Sequence, residues 1–223
     1  MKSLAKSGKI RLYLNKKKIG SFAMKFLELN KKRHGVRSFN DQPVDFKDLR
    51  TAIEIATLAP SANNIQPWKF VVVEDKKADL AKDMVLGNKE QVEQAQFVVA
   101  IFSDTDLVQR SRKIARVGVK SLPDDLIGYY METLPPRYAK MEELEKAEYL
   151  SFNTGLVAMN LILALTDQKI ASNMILGFDK TKTNEILEVN PRFRPEILIT
   201  VGYTDDKLEP TYRLPVDELI ERR

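Results

Sequence analysis

The stretch Gly155–Leu165 is apolar on almost every side of a helix and is interrupted only by Asn160. It is too short to span a bilayer, which needs about 20 apolar residues, and reads instead as the second half of a buried helix over Glu145–Gln168. Such a helix needs cover on all sides, so it belongs at the centre of a fold or at a subunit interface. The remaining elements must be able to wrap it. Phe70–Val73 is a β-branched run that reads as a buried strand, Phe97–Phe102 and Glu196–Tyr203 read as two more, and Ala171–Leu176 as a short extended piece. A short helix opens at Phe26 and runs into the basic turn Lys31–Arg37. A second is capped by Asp45, carries Asp48 in its first turn and Leu49, Ile53, Ile55, Ala56 and Leu58 behind it, and stops at Pro60. Lys76–Val85 and Lys180–Val189 are helical by pattern, and a brief helix falls around Val216–Ile220. In Asp104–Leu144, Pro123, Pro135 and Pro136 are expected to break helices, with Tyr129, Tyr130, Met131 and Tyr138 clustered between them. Helices outnumber strands in a mixed order, which gives an α+β sandwich with a small sheet surrounded by helices.

The side-chain inventory removes whole classes of chemistry. Among 223 residues there is no cysteine, so disulfides, thiolate nucleophiles, iron–sulfur clusters and Cys-ligated zinc are excluded. His34 is the single histidine, which leaves neither a multi-His metal site nor a simple Ser-His-Asp triad. The net charge of +5 suggests nucleic acid, but its distribution does not. Residues 1–23 hold seven basic side chains and no acidic one, leaving 29 of the 36 basic residues against all 31 acidic ones. The expectation is therefore a basic, dispensable arm over residues 1–23 and a single near-neutral domain over 24–223. No nucleic-acid or membrane partner is expected. With no apolar segment following the N-terminal charges, a secretory leader is not expected either, and the cytoplasm is the default compartment.

Two constellations carry chemistry. In Arg33-His34-Gly35-Val36-Arg37 two guanidinium forks flank a glycine at a turn, an arrangement suited to a phosphate, although a solvated basic turn has the same composition. Pro60-Ser61-Ala62-Asn63-Asn64-Ile65-Gln66-Pro67-Trp68 packs amides and a hydroxyl between two stiffening prolines. Its amides match the alternating donor–acceptor edge of a flavin pyrimidine or a nucleobase. The alternative is a helix-to-strand loop in which Asn63 and Asn64 take turn conformations, but such a loop requires neither Gln66 nor Trp68.

Together these strings resemble the FMN-dependent nitroreductase family, whose pattern is Arg-x-Ser-x-Arg/Lys-x-Phe followed by Pro-Ser-x-x-Asn-x-Gln-Pro-Trp. The likeness extends through Asn88, Gln94–Val99, Asn153–Leu165, Ile175–Asp179, Val201-Gly202-Tyr203 and Arg213-Leu214-Pro215, from Met24 to about Leu219. It implies a nitroreductase-like three-layer sandwich with a mainly antiparallel sheet, and a homodimer sharing its flavin sites. By the resemblance, Arg33 and Arg213 clamp the FMN phosphate, His34 and Gly35 add backbone contacts, and Arg37 lies by the ribityl chain or the N1/O2 edge. Pro60, Ser61, Ala62 and Asn64 would reach the same flavin from the partner subunit. Asn88 would bond the pyrimidine edge, and the backbone of Leu176 and Gly177 would face N5 and O4. No side chain is expected to be catalytic and no metal is expected, because the flavin carries the redox chemistry. NAD(P)H would act as a transient co-substrate, delivering hydride and leaving before a nitroaromatic, quinone or similar flat acceptor enters. Rival readings are an FMN-binding or regulatory module without turnover, and a divergent member acting on flavin, an enone or a halogenated aromatic. The sequence departs from the family pattern in three places: Gly35 replaces a frequent Ser, Leu176 a frequent Glu, and Thr211 a second basic residue. The segment Asp104–Leu144 is where a lid over the flavin would lie, unless its tyrosines serve ordinary helix packing.

A protein starting at Met24 is expected to fold and take up cofactor like the full chain. Loss of the circular dichroism signal or of flavin uptake on truncation would show that the arm belongs to the domain.

Overall fold

The computed structural model describes residues 26–82 and 87–223. The expectations for residues 1–23 and for the end of the Lys76–Val85 helix fall outside them. Four strands, β1 (Trp68–Val73), β2 (Phe97–Asp104), β3 (Ala171–Ile175) and β4 (Phe193–Gly202), form one antiparallel sheet in the order β1-β2-β4-β3. The helices in chain order are α1 (Phe26–Lys32), α2 (Phe46–Ala56), α3 (Lys77–Lys82), α4 (Lys89–Gln94), α5 (Leu107–Gly118), α6 (Asp124–Gly128), α7 (Leu134–Ala139), α8 (Glu143–Asp167) and α9 (Lys180–Ile186).

The central strand β2 is buried along its whole length because both of its faces are covered. Phe97, Val99 and Ile101 face α8 and α2, while Val98, Ala100 and Phe102 face α3, α4 and the Ile186–Val189 turn after α9. This period-two division makes the strand read as a continuous apolar run and gives the fold its three layers. The expected α+β sandwich is observed. In the α8 layer Val157, Ala158, Leu161, Ile162, Ala164 and Leu165 are buried against the sheet and against Leu49, Ala52 and Ala56 of α2. By length and composition α8 could cross a membrane, but half of its most apolar window is packed inside the protein. Asp45 caps α2 as expected, accepting from the Lys47 N–H at 2.8 Å.

The proline-rich region differs from expectation. Pro135 and Pro136 do not break a helix: they lie in the first turn of α7, which continues directly from the π-helical turn Tyr129–Thr133 with helical backbone at Thr133 and Leu134. Pro123, by contrast, stands between α5 and α6 in extended backbone and separates the two helices as expected. Helices α5 to α7, with a π-helical turn over Tyr129–Thr133, form a lobe whose own core contains Ile65, Leu107, Tyr130, Leu134, Tyr138 and Leu150. A bidentate pair, Arg192 to Asp104 at 2.6 and 2.8 Å, ties the start of β4 to the end of β2.

Leu161→Ala is expected to lower stability by about 3 kcal/mol in urea unfolding, through lost transfer energy and a cavity between the two layers. Asp45→Ala, which removes only the cap, is expected to lose about 1 kcal/mol.

Candidate active site

The Pro60–Trp68 loop is built around Asn63, a residue to which the resemblance gives no role. Asn63, Asn64 and Gln66 all have positive φ, at 54°, 49° and 45°. Asn tolerates this left-handed region better than most residues, yet three such positions in four still require outside support. That support comes from four tyrosines. Tyr129 donates its hydroxyl to Asn63 Oδ1 at 3.1 Å, and Tyr130 donates to the Asn63 carbonyl at 2.9 Å. Tyr149 gives its single O–H to the Ala62 carbonyl at 2.9 Å, so Tyr138 is the donor across their 3.1 Å contact. Tyr138 oxygen in turn accepts from Asn63 Nδ2 at 3.3 Å. Asn153 of α8 accepts from the Ala62 N–H at 2.8 Å, and Arg110 caps the carbonyls of Ile65 and Gln66. The tyrosines of the Asp104–Leu144 segment thus grip the loop through their hydroxyls.

Gln66 and Trp68 also have local structural roles, which corrects the expectation that a mere loop would not need them. Gln66 Nε2 donates to Asn64 Oδ1 at 3.2 Å, and Trp68 is a buried part of the sheet core. Ser61 Oγ accepts from the Gln66 N–H at 3.0 Å, while Asn64 is exposed and Pro60 stands at the surface.

The second constellation lies along the β3 edge. Gly35 bridges Ser172 of β3 in parallel, with the Val36 N–H donating to the Ser172 carbonyl at 3.1 Å. Arg33 and Arg37 have no carboxylate partner among the described residues. His34 Nδ1 contacts the Lys32 carbonyl at 2.9 Å, and the ring lines a cavity of about 250 Å³ with Val36, Lys169 and Tyr203. From Gly35 a chain of amides leads through Asn173 and Gln91 to Asn88. Neither Gln91 nor Asn173 was singled out in the sequence; both sit in ordinary secondary-structure positions with no motif around them. Leu176 and Gly177 follow β3 directly and are exposed. Arg213 donates only to the carbonyls of Tyr212 and Thr211, and no bond among the described residues joins it to Arg33.

The two constellations lie at opposite corners of the sheet. The loop enters β1 at Trp68, level with Ser103 and so with Arg194 at the start of β4; Gly35 meets β3 at Ser172, level with Val201 at the end of β4. β1 and β3 are the two outer strands. Strand spacing and rise put these corners on the order of 25 Å apart. Gly35 and Asn88 are linked within one chain through Asn173 and Gln91, Gly177 lies beyond the other end of β3, and Pro60–Asn64 is not joined with them.

The nitroreductase family model matches residues 31–203. The chain belongs to the nitroreductase family. It is 77% identical over 200 residues to "Putative NAD(P)H nitroreductase Spy0809" of Streptococcus pyogenes serotype M6, covering 90% of this chain and all of that protein. The crystal structure of a nitroreductase family protein from Streptococcus pneumoniae TIGR4 is 62% identical, with a TM-score of 0.88 over 89% of this chain and all of that one. A "putative nitroreductase in complex with FMN" from Exiguobacterium sibiricum is 26% identical, with a TM-score of 0.83 over 91% of this chain and 99% of that one. As a family member the chain is an oxidoreductase, and both constellations fall inside the matched span, whereas Arg213 lies beyond it.

The tyrosine grip has a pH signature. Burial, then the hydrogen bond and charge of Tyr149, push the Tyr138 phenol well above its ordinary value of 10.0. Burial raises Tyr130 and Tyr149 as well. Their stabilising contribution is complete below the unfolded value and declines as pH rises beyond it, because the unfolded phenols ionise first. Urea unfolding between about pH 8 and 11 is expected to show stability falling above about pH 10, with a shallower fall in Tyr138→Phe.

Proposed function

We propose that the chain is an FMN-dependent NAD(P)H oxidoreductase that works as a homodimer and reduces nitroaromatics, quinones or similar flat acceptors in two successive steps. The observation that carries this reading is the β3 edge itself, where Arg33 and Arg37, without a carboxylate partner among the described residues, flank the exposed backbone of Gly35. A guanidinium fork without a carboxylate is a ready phosphate ligand. Bound FMN would supply the hydride chemistry that no side chain of this protein can.

The residues would divide the work as follows. Arg33 binds the phosphate, and the backbone at Gly35 admits it closely. Arg37 places a positive charge by the flavin's N1/O2 edge, where the reduced ring gathers negative charge. Asn88 bonds the pyrimidine ring, and the exposed backbone of Leu176 and Gly177 faces N5 and O4. The exposed Leu176 side chain offers an apolar wall to flat acceptors.

The corner geometry supports a second subunit. The Gly35 corner, where the phosphate would sit, is on the order of 25 Å from the point where the Pro60–Asn64 loop enters β1 of the same chain, and we assign that loop to the partner's flavin. The segment after Tyr203 also exposes Tyr212, Leu214, Val216, Leu219 and Ile220, and α8 exposes Phe152. Apolar surface of this extent calls for cover, and a second copy supplies it while bringing Arg213 to a phosphate.

The purified protein is expected to be yellow, to bleach under anaerobic NADH or NADPH, and to regain its colour with a quinone. Colourless protein that refuses added FMN would overturn the reading.

A further inference from the structure

Gln91 is only 1% exposed, and a buried amide must satisfy both of its ends. Its Nε2 donates to Asn88 Oδ1 at 2.6 Å and, at 3.4 Å, to the Gly87 carbonyl. Its Oε1 accepts from Asn173 Nδ2 at 2.7 Å. The direction of this chain is set by chemistry. A backbone carbonyl can only accept, so the end of Gln91 beside Gly87 is its NH2 group. Asn88 must therefore turn its oxygen towards Gln91 and its own NH2 group away. At the other end, Asn173 Oδ1 lies 2.8 Å from where a Cβ on residue 35 would stand. The Asn173 amide lies against the glycine, and a side chain at residue 35 would have to displace it.

We propose that Asn173 and Gln91 are positioning residues whose amides fix Asn88 as an N–H donor, aimed at a carbonyl oxygen of the flavin pyrimidine ring rather than at its N–H. The inference rests on the FMN reading of this site. It makes Asn88 a directional recognition element: Gln91 holds its Oδ1 end, so the NH2 group is the end turned away from the relay. A donor held on a ring carbonyl binds more strongly as electron density there grows, so the same relay favours the reduced ring. None of the three side chains carries a charge, so the direction of the relay does not change across neutral pH.

Two measurements test the relay. The first is the FMN dissociation constant, read from flavin fluorescence quenching for the wild type, Gln91→Leu, Asn88→Ala, the double variant and Asn173→Ala. Gln91→Leu is expected to weaken FMN about tenfold when Asn88 is present and less than about twofold when it is alanine, because Gln91 acts through Asn88. Equal losses in both backgrounds would overturn the proposal. The second uses flavin-free protein, where the Asn88 side-chain NH2 resonances are expected to be well dispersed in the wild type and to collapse towards free-amide positions in Gln91→Leu. An unchanged Asn88 pair would also overturn it. Should Gln91→Leu not fold, Asn173→Ala carries both measurements, since Asn173 is only half-buried on the edge strand. A wild type that binds no FMN removes the flavin assignment, while the flavin-free spectra still decide whether the relay exists.

Discussion

The fold depends on burying β2 from both sides. Its alternating apolar side chains hold α8 and α2 on one face and α3 and α4 on the other, and the neighbouring strands are fixed in register by that sandwich. Once the order β1-β2-β4-β3 is set, the outer strands point their functional connections to opposite corners. The geometry of the site therefore follows from the core. Within one chain the cationic turn and the amide-rich loop are separated by the sheet itself, and the proposed two-copy site is the arrangement that would use both.

Each corner is organised by a satisfied amide. At one, Asn63 accepts from Tyr129, donates to Tyr138 and gives its carbonyl to Tyr130, which holds a loop of unfavourable backbone angles. At the other, Gln91 links Asn88 to Asn173 beside Gly35. Both hubs are neutral and directional. In a low-dielectric interior such networks specify a single arrangement because any reversal leaves a polar atom unpaired. The helical lobe over Leu107–Ala139 is thus coupled to the loop by hydroxyls, so a rearrangement of that lobe would have to carry the loop with it.

Much of this was legible beforehand. The strands announced themselves by β-branched runs, α2 by Asp45 and its stripe, and α8 by an apolar surface too extensive for a surface helix. Pro135 and Pro136 misled because a proline reads as a break unless the helix start is already known. Gln66 and Trp68 looked too specific for a loop, yet one closes that loop on Asn64 and the other is core. Asn63, Gln91 and Asn173 carried no local signal, since their partners lie far away in the chain: Asn63 meets Tyr130 across 67 positions and Asn173 meets Gln91 across 82.

The sequence by itself determined the α+β layering, the residue types of the two functional segments and the lack of cysteine. These depend on periodicity, motif order and the absence of reactive side chains, all of which are local or compositional. Only the tertiary structure decided which amides orient which, that the tyrosines hold a loop, and that the two segments occupy opposite corners of one sheet. Hydrogen-bond direction and strand order arise from pairings between distant residues, and no local pattern records them.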